Sequence, residues 1–172
     1  MQPIKHINHL DLSLCLRLNH ASQYAWVRML FRTVSRLGDG VFWYTLMILL
    51  LALDGFAALI PVVHMLLAGG TCTLIYKWLK KRISRPRPYQ VNPDIECITA
   101  PLDRFSFPSG HTLHAVAFSM VAVAYYPELG WMVFPFTFLV AISRMVLGLH
   151  YPSDVIAGAS IGASIAWLSF LF

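Results

Sequence analysis

The sequence has 172 residues, of which 58% are hydrophobic and only 12% charged, with a mean hydropathy of +0.63. A soluble domain keeps roughly a quarter of its residues charged, so this composition cannot cover a water-facing surface and excludes a soluble globular protein. The net charge of +5 and pI of about 9.3 would suit a polyanion, but the positive residues gather in one short run rather than along a face, which argues against nucleic acid.

In chain order, the first stretch, His9–Leu37, mixes apolar residues with Asp11, Arg17, Arg28, Arg32 and Arg36. It predicts an interfacial amphipathic piece near the start, then a helix from about Gln23 that wholly or partly inserts. The opening MQPIKHINHLDLSL lacks a clean apolar stretch and a small-residue cleavage site, so no cleaved signal peptide is expected. Gly38-Asp39-Gly40 then turns the chain. Gly40–Leu53 and Gly55–Tyr76 carry no formal charge and are separated by Asp54-Gly55. About 20 apolar residues cross a bilayer as a helix, so these two segments read as a hairpin with a tight turn near Asp54. A basic cluster of Lys80, Lys81, Arg82, Arg85 and Arg87 follows. Such a run beside an apolar span is commonly a lipid-headgroup anchor.

Ser84–Phe107 holds Pro86, Pro88, Pro93 and Pro101 and is expected to be a loop outside the membrane. Three apolar stretches come after it. Ser109–Tyr126 is closed by Pro127-Glu128, Leu129–Leu149 is interrupted only by Arg144, and Pro152–Phe172 only by Asp154. The expected fold class is an all-α polytopic membrane helical bundle of about six helices: five spans plus an N-terminal amphipathic or inserted helix. No repeat or linker divides the chain, so residues 1–172 read as a single domain. The three cysteines, Cys15, Cys72 and Cys97, form no CxxC or zinc pattern, and an odd number cannot close a disulfide set.

Alternation of spans brings three polar segments to one membrane face. The first holds Lys80 and Arg87, the second Ser109, Gly110 and His111, the third Arg144, His150 and Asp154. Charges at the edge of hydrocarbon are expensive and are functional suspects. Together these residues describe an anion site. Lys80, Arg87 and Arg144 supply positive charge, and the planar fork of arginine suits bidentate binding of phosphate oxygens. Pro108-Ser109-Gly110 opens a helix whose free N–H groups face an anion, with the Ser109 hydroxyl as a further donor. An imidazole can serve as a phosphate-accepting nucleophile or as a general acid. His150 stands four residues before Asp154 across a helix start, so the carboxylate can accept its Nδ1–H and leave Nε2 free.

Three motifs stand intact: Lys80, six residues, Arg87-Pro88; Pro108-Ser109-Gly110-His111; and Ser143-Arg144, five residues, His150, three residues, Asp154. In these the chain resembles the type 2 phosphatidic acid phosphatase (PAP2) superfamily, whose site is shared with vanadium haloperoxidases. The resemblance implies His150 as the nucleophile that forms a phosphohistidine, Asp154 orienting it, and His111 as general acid. It implies Lys80, Arg87, Ser109, Gly110 and Arg144 as phosphate ligands, with no metal and no cofactor. It also implies a six-helix bundle in the bacterial cytoplasmic (inner) membrane, its site facing the periplasm or outside. The implied partner is a phosphorylated lipid in the bilayer: a polyprenyl pyrophosphate, phosphatidylglycerol phosphate, phosphatidic acid or phosphorylated lipid A.

Tyr89, Asp103, Arg104 and the loop from Gln90 to Pro101 are placed to touch a headgroup or simply to be solvated. His114 shares a face with His111 and reads as packed or pore-facing, with a supporting role in the site as the alternative; His64 reads as structural. Three rival readings use the same residues. One is a lipid-to-lipid phosphotransferase, the second a metal-dependent hydrolase with His111, His114, His150 and Asp154 as ligands, and the third a carrier or channel that kept the fold. Arginines crowding the site would repel a divalent cation, which weighs against the metal reading.

Overall fold

Helices account for all the regular structure among the described residues. The computed structural model describes residues 2–171, with side chains from Leu10 to Leu171. The first stretch forms α1 (Gln2–His20), a 3₁₀ turn at Ala21–Gln23, and α2 (Ala25–Arg36). The break falls where the expected two-part division placed it. A π-helical turn over Leu37–Val41 leads into α3 (Phe42–Asp54), and a 3₁₀ turn at Gly55–Ala58 reverses the chain into α4 (Leu59–Ile83). The reversal thus sits at Asp54-Gly55.

α4 runs further than the apolar stretch that predicted it. It continues past Tyr76 through the basic cluster to Ile83, because KWLKKRI contains no Pro or Gly and its cations favour the negative end of the helix dipole. It stops where Ser84 turns left-handed and Pro86 approaches. Lys80 is therefore carried on a helix, not on a loop. The following segment, 84–109, is irregular except for one short turn, α5 (Pro88–Val91).

α6 (Gly110–Tyr125), α7 (Gly130–Val146) and α8 (Pro152–Leu168) complete the bundle. α7 ends three residues before its apolar run does. Gly148 has φ +73°, and a Cβ there would stand 2.5 Å from the Glu96 carbonyl oxygen, so the chain turns where only glycine fits. The turn is closed by the Leu149 and His150 N–H groups, which donate to the Arg144 carbonyl at 3.0 and 3.1 Å. Five residues between Arg144 and His150 are thereby folded back on themselves.

α6 is the central helix, packed by α4, α7 and α8. Its pairing with α8 is close because α8 presents Gly158 and Gly162, one helical turn apart. A Cβ at Gly158 would come 2.6 Å from the Ser109 carbonyl oxygen, and one at Gly162 would overlap that of Leu113. Small residues let helix backbones meet where no water-driven force acts between them. Ser119 and Thr137 bridge α6 to α7 by a hydroxyl hydrogen bond of 2.7 Å. The outer faces are apolar: Phe56 is 94% exposed and Trp131 91%. By length and composition, helical stretches within Ala25–Val91 and Pro127–Val146 are apolar enough to cross a bilayer.

Candidate active site

At one end of the bundle, six of the eight residues singled out by sequence line one cavity of about 670 Å³: Lys80, Arg87, Gly110, His111, Arg144 and His150. Each arrives on a different structural cause. The C-terminal turns of α4 carry Lys80, and the last turn of α7 carries Arg144. Arg87 precedes Pro88 in the extended conformation that proline imposes. Gly110 opens α6, and His150 hangs from the Gly148 turn. The cavity continues along Trp43, Leu66, Gly69 and Phe118 on α3, α4 and α6, so a charged mouth joins an apolar wall.

Arg87 is 1% exposed and held from two sides. Its Nη1 donates to the Leu149 carbonyl at 2.7 Å and lies 3.4 Å from His150 Nε2. Its Nη2 donates to the Asp103 carboxylate at 2.9 Å. Lys80 Nζ donates to the same Asp103 oxygen at 2.6 Å and to the Phe105 carbonyl at 2.9 Å. One carboxylate thus bridges two of the three cationic residues among the five expected phosphate ligands. Burial alone would raise the Asp103 carboxyl, but the Lys80 and Arg87 charges outweigh it and hold it below the ordinary carboxylate value. Arg144 is buried; its Nη1 donates to Ser35 Oγ, and its Nε has no partner.

His150 is buried, and its environment favours the neutral ring. Burial, then the charges of Arg144, Arg87 and Lys80, push its imidazole well below the ordinary 6.5. The expected hydrogen bond from its Nδ1 to Asp154 is not closed: Nδ1 stands 3.7 Å from Oδ2 and has no hydrogen-bond partner. Asp154, fully buried, is engaged elsewhere. Its Oδ2 accepts the Tyr151 N–H at 2.9 Å, and its Oδ1 accepts from Arg85 Nη1 at 2.6 Å. The sequence spacing put ring and carboxylate side by side; it could not show the competitors for the carboxylate.

Ser109 caps α6 but turns away from the cavity. Its hydroxyl pairs with Thr112 Oγ1 at 3.0 Å and its N–H donates to the Asp154 carbonyl at 3.0 Å, so it ties α6 to α8. His111 shares a hydrogen bond through Nε2 with Asp39. Asp39 comes from the kink between α2 and α3, where Gly40 takes φ +134°. Read in sequence as part of a Gly-Asp-Gly turn, it gave no hint of this partner. Ser35 and Arg85 escaped assignment to the site in the same way, whereas Asp103, expected to touch a headgroup or be solvated, bridges Lys80 and Arg87.

Both ring nitrogens of His114 are occupied, by the Gly110 carbonyl at 2.8 Å and Thr73 Oγ1 at 3.0 Å. The ring ties α6 to α4 and also lines the cavity. His64 lies between Tyr125 and Ser169, hydrogen-bonded at 3.0 and 2.7 Å. Both match the structural reading.

Fold and site define a class: an all-helical protein of membrane type whose cationic cavity is lined by three imidazoles, those of His111, His114 and His150. The PAP2 superfamily model matches residues 57–172, and the chain belongs to that superfamily. It is 33% identical over 112 residues to undecaprenyl-diphosphatase BcrC of Bacillus subtilis, covering 63% of this chain and 58% of that one. It is 36% identical over 125 residues to phosphatidylglycerophosphatase B of the same organism, covering 60% and 54%. The chain spans about half the length of the curated relatives it matches. Among solved structures, Aquifex aeolicus LpxE superimposes with a TM-score of 0.82 at 28% identity, over 95% of this chain and 96% of that one. The PAP2-type phosphatidylglycerolphosphate phosphatase of Bacillus subtilis gives 0.70 at 27% identity, over 93% and 84%.

Proposed function

We propose that this protein is a membrane lipid phosphatase, a single PAP2-type domain over residues 1–172 that cleaves a phosphate from a lipid phosphate or pyrophosphate through a phosphohistidine. One observation carries the reading: His150 lines one cavity together with His111, Lys80, Arg87 and Arg144, and that cavity continues into an apolar wall. A phosphoryl group in the mouth leaves its lipid tails along α3 and α4. The family membership and the names of the relatives support the same class of substrate, with a polyprenyl pyrophosphate or a glycerophospholipid phosphate as the first choices.

In the first step His150 Nε2 attacks phosphorus, the bond to the leaving oxygen breaks, and His111 gives that oxygen its proton. Water then attacks phosphorus, losing a proton to His111; the phosphorus–nitrogen bond breaks, its electron pair returns to His150 Nε2, and inorganic phosphate leaves. Lys80, Arg87 and Arg144 neutralise the equatorial oxygens, which is most of what phosphoryl transfer demands. Gly110 lets the oxyanion approach the start of α6, and Ser109 serves by fixing that helix start against Asp154. The protein lies in a bacterial cytoplasmic membrane as a bundle of about six helices, the site at the outer face.

The test is phosphate release by the purified protein across a panel of phosphorylated lipids in detergent, wild type beside His150→Ala. Turnover of at least one lipid is expected, reduced at least about 10³-fold in the variant. Substantial residual turnover by His150→Ala would remove the nucleophile from this scheme.

A further inference from the structure

Arg85 takes no part in the scheme above, yet it sits in a buried ion triad. Its Nη1 donates to Asp154 Oδ1 at 2.6 Å and to Ser153 Oγ at 2.7 Å, while its Nη2 donates to Asp11 Oδ2 at 2.7 Å. The guanidinium lies 4.0 Å over the Tyr151 ring. Asp11 also accepts the Ser153 N–H at 3.0 Å and the Ser153 hydroxyl, so α1 caps the start of α8. The side chains are 20% exposed for Arg85, 6% for Asp11 and 0% for Asp154. α1 lies outside residues 57–172, the part the superfamily model matches.

Two carboxylates compete for one guanidinium. Arg85 reaches Asp154 through Nη1 and Asp11 through Nη2, so the charge of Asp11 offsets the pull of the guanidinium on Asp154, the group that must hold His150 Nδ1, which is buried without a hydrogen-bond partner. Charges this well buried act strongly on one another, and removing one partner leaves the others uncompensated. We propose that Arg85, shared between Asp11 and Asp154, is a positioning residue that sets how firmly Asp154 grips His150, and that α1 thereby takes part in the site. The inference rests on the phosphatase reading only for its kinetic readout.

The sign follows from the charges around His150. Arg144 on α7, Arg87, Lys80 on α4 and His111 on α6 already disfavour its protonation. Asp103 from the 84–109 segment and Asp154 on α8 oppose them, and α1 adds Cys15, whose Sγ lies 3.7 Å from the His150 carbonyl. Losing the Arg85 cation frees Asp154 for the ring and makes His150 easier to protonate. Losing the Asp11 anion gives Asp154 the whole guanidinium and makes protonation harder.

The experiment uses the full-length protein in detergent, wild type beside Arg85→Gln, Asp11→Asn and Arg85→Lys, each checked by gel filtration. Two readouts are taken: the pH profile of kcat/KM for phosphate release from a long-chain phosphatidic acid or whichever panel lipid turns over best, and an NMR titration of the His150 ring nitrogens. Arg85→Gln is expected to move the acid limb and the ring titration to higher pH, Asp11→Asn to lower pH, with Arg85→Lys near wild type. In Arg85→Gln kcat falls about tenfold with KM within about twofold. Shifts that are absent, or of the same sign in both variants, overturn the proposal. So does loss of the folded protein in both, since the triad is then a structural clamp. If the wild type hydrolyses no lipid, the phosphatase reading fails and the ring titration alone decides this one.

Discussion

Asp103 occupies the two cations that the proposed scheme assigns to a substrate oxygen. Its carboxylate bridges Lys80 and Arg87, so an arriving phosphate must displace it or share its ligands. The carboxyl is held below its ordinary value, and mild acidification does not relieve the competition. Asp103→Asn keeps the shape and removes the charge. Inhibition by vanadate, a mimic of five-coordinate phosphorus, is expected to tighten by about tenfold, a free-energy change of about 1.4 kcal/mol; an unchanged inhibition constant would show that Asp103 already swings clear. A second prediction concerns pH. In the proposed scheme the His150 ring must be neutral to attack, and burial with three nearby cations holds it well below 6.5. The acid limb of kcat/KM, which reports the free enzyme, is therefore expected below pH 6.5. The limb of kcat should lie higher, because bound phosphate adds negative charge beside the ring. A coincident pair of limbs at or above 6.5 would contradict this electrostatic picture.

Among the elements, the α6–α8 pair decides whether the site exists. Ser109 and His111 come from α6, Asp154 from α8, and the Ser109 N–H bonded to the Asp154 carbonyl sets their spacing. Gly158 and Gly162 permit that approach. Gly162→Val puts a side chain against the Leu113 carbonyl and forces the helices apart. Overpacking of this kind costs roughly 1–3 kcal/mol, so thermal stability in detergent should fall and phosphate release with it. A Gly162→Val protein as stable and active as wild type would mean the two helices slide freely. The polar ends of these helices were legible from the positions of Pro108, Pro127 and Pro152, because proline marks a first turn. The continuation of α4 through Lys80 was not, because hydropathy follows the bilayer and not the backbone.

The whole molecule joins a polar mouth to an apolar wall, and the two halves have different tasks. In the proposed scheme Lys80, Arg87 and Arg144 hold a phosphoryl group of any origin, whereas the cavity continues past Trp43, Leu66, Gly69 and Phe118, where lipid tails would lie. Binding energy from tails can be used to orient the reacting group. A water-soluble phosphate such as glycerol phosphate is therefore expected to show kcat/KM lower by about a hundredfold or more than its long-chain counterpart. Equal values, measured below the detergent's critical concentration, would leave the apolar wall without a role.

Much was settled by the order of residues alone. Apolar runs with few charges force helices in a bilayer, since each backbone N–H must find its carbonyl within the segment. Charges too costly to strand in lipid, at Lys80, Arg87, Arg144 and Asp154, must then gather where they can satisfy one another. That much fixed the fold class and brought six of the eight expected residues to one cavity. What only the packed chain decided was the partnership of each charge: Asp103 on Lys80 and Arg87, Asp39 on His111, Ser35 on Arg144, Arg85 between Asp11 and Asp154, Ser109 facing Thr112. Those contacts join residues up to 109 positions apart, as in Ser35 with Arg144. Their strength depends on distances of a few ångströms that sequence spacing does not encode once the chain leaves a single helix.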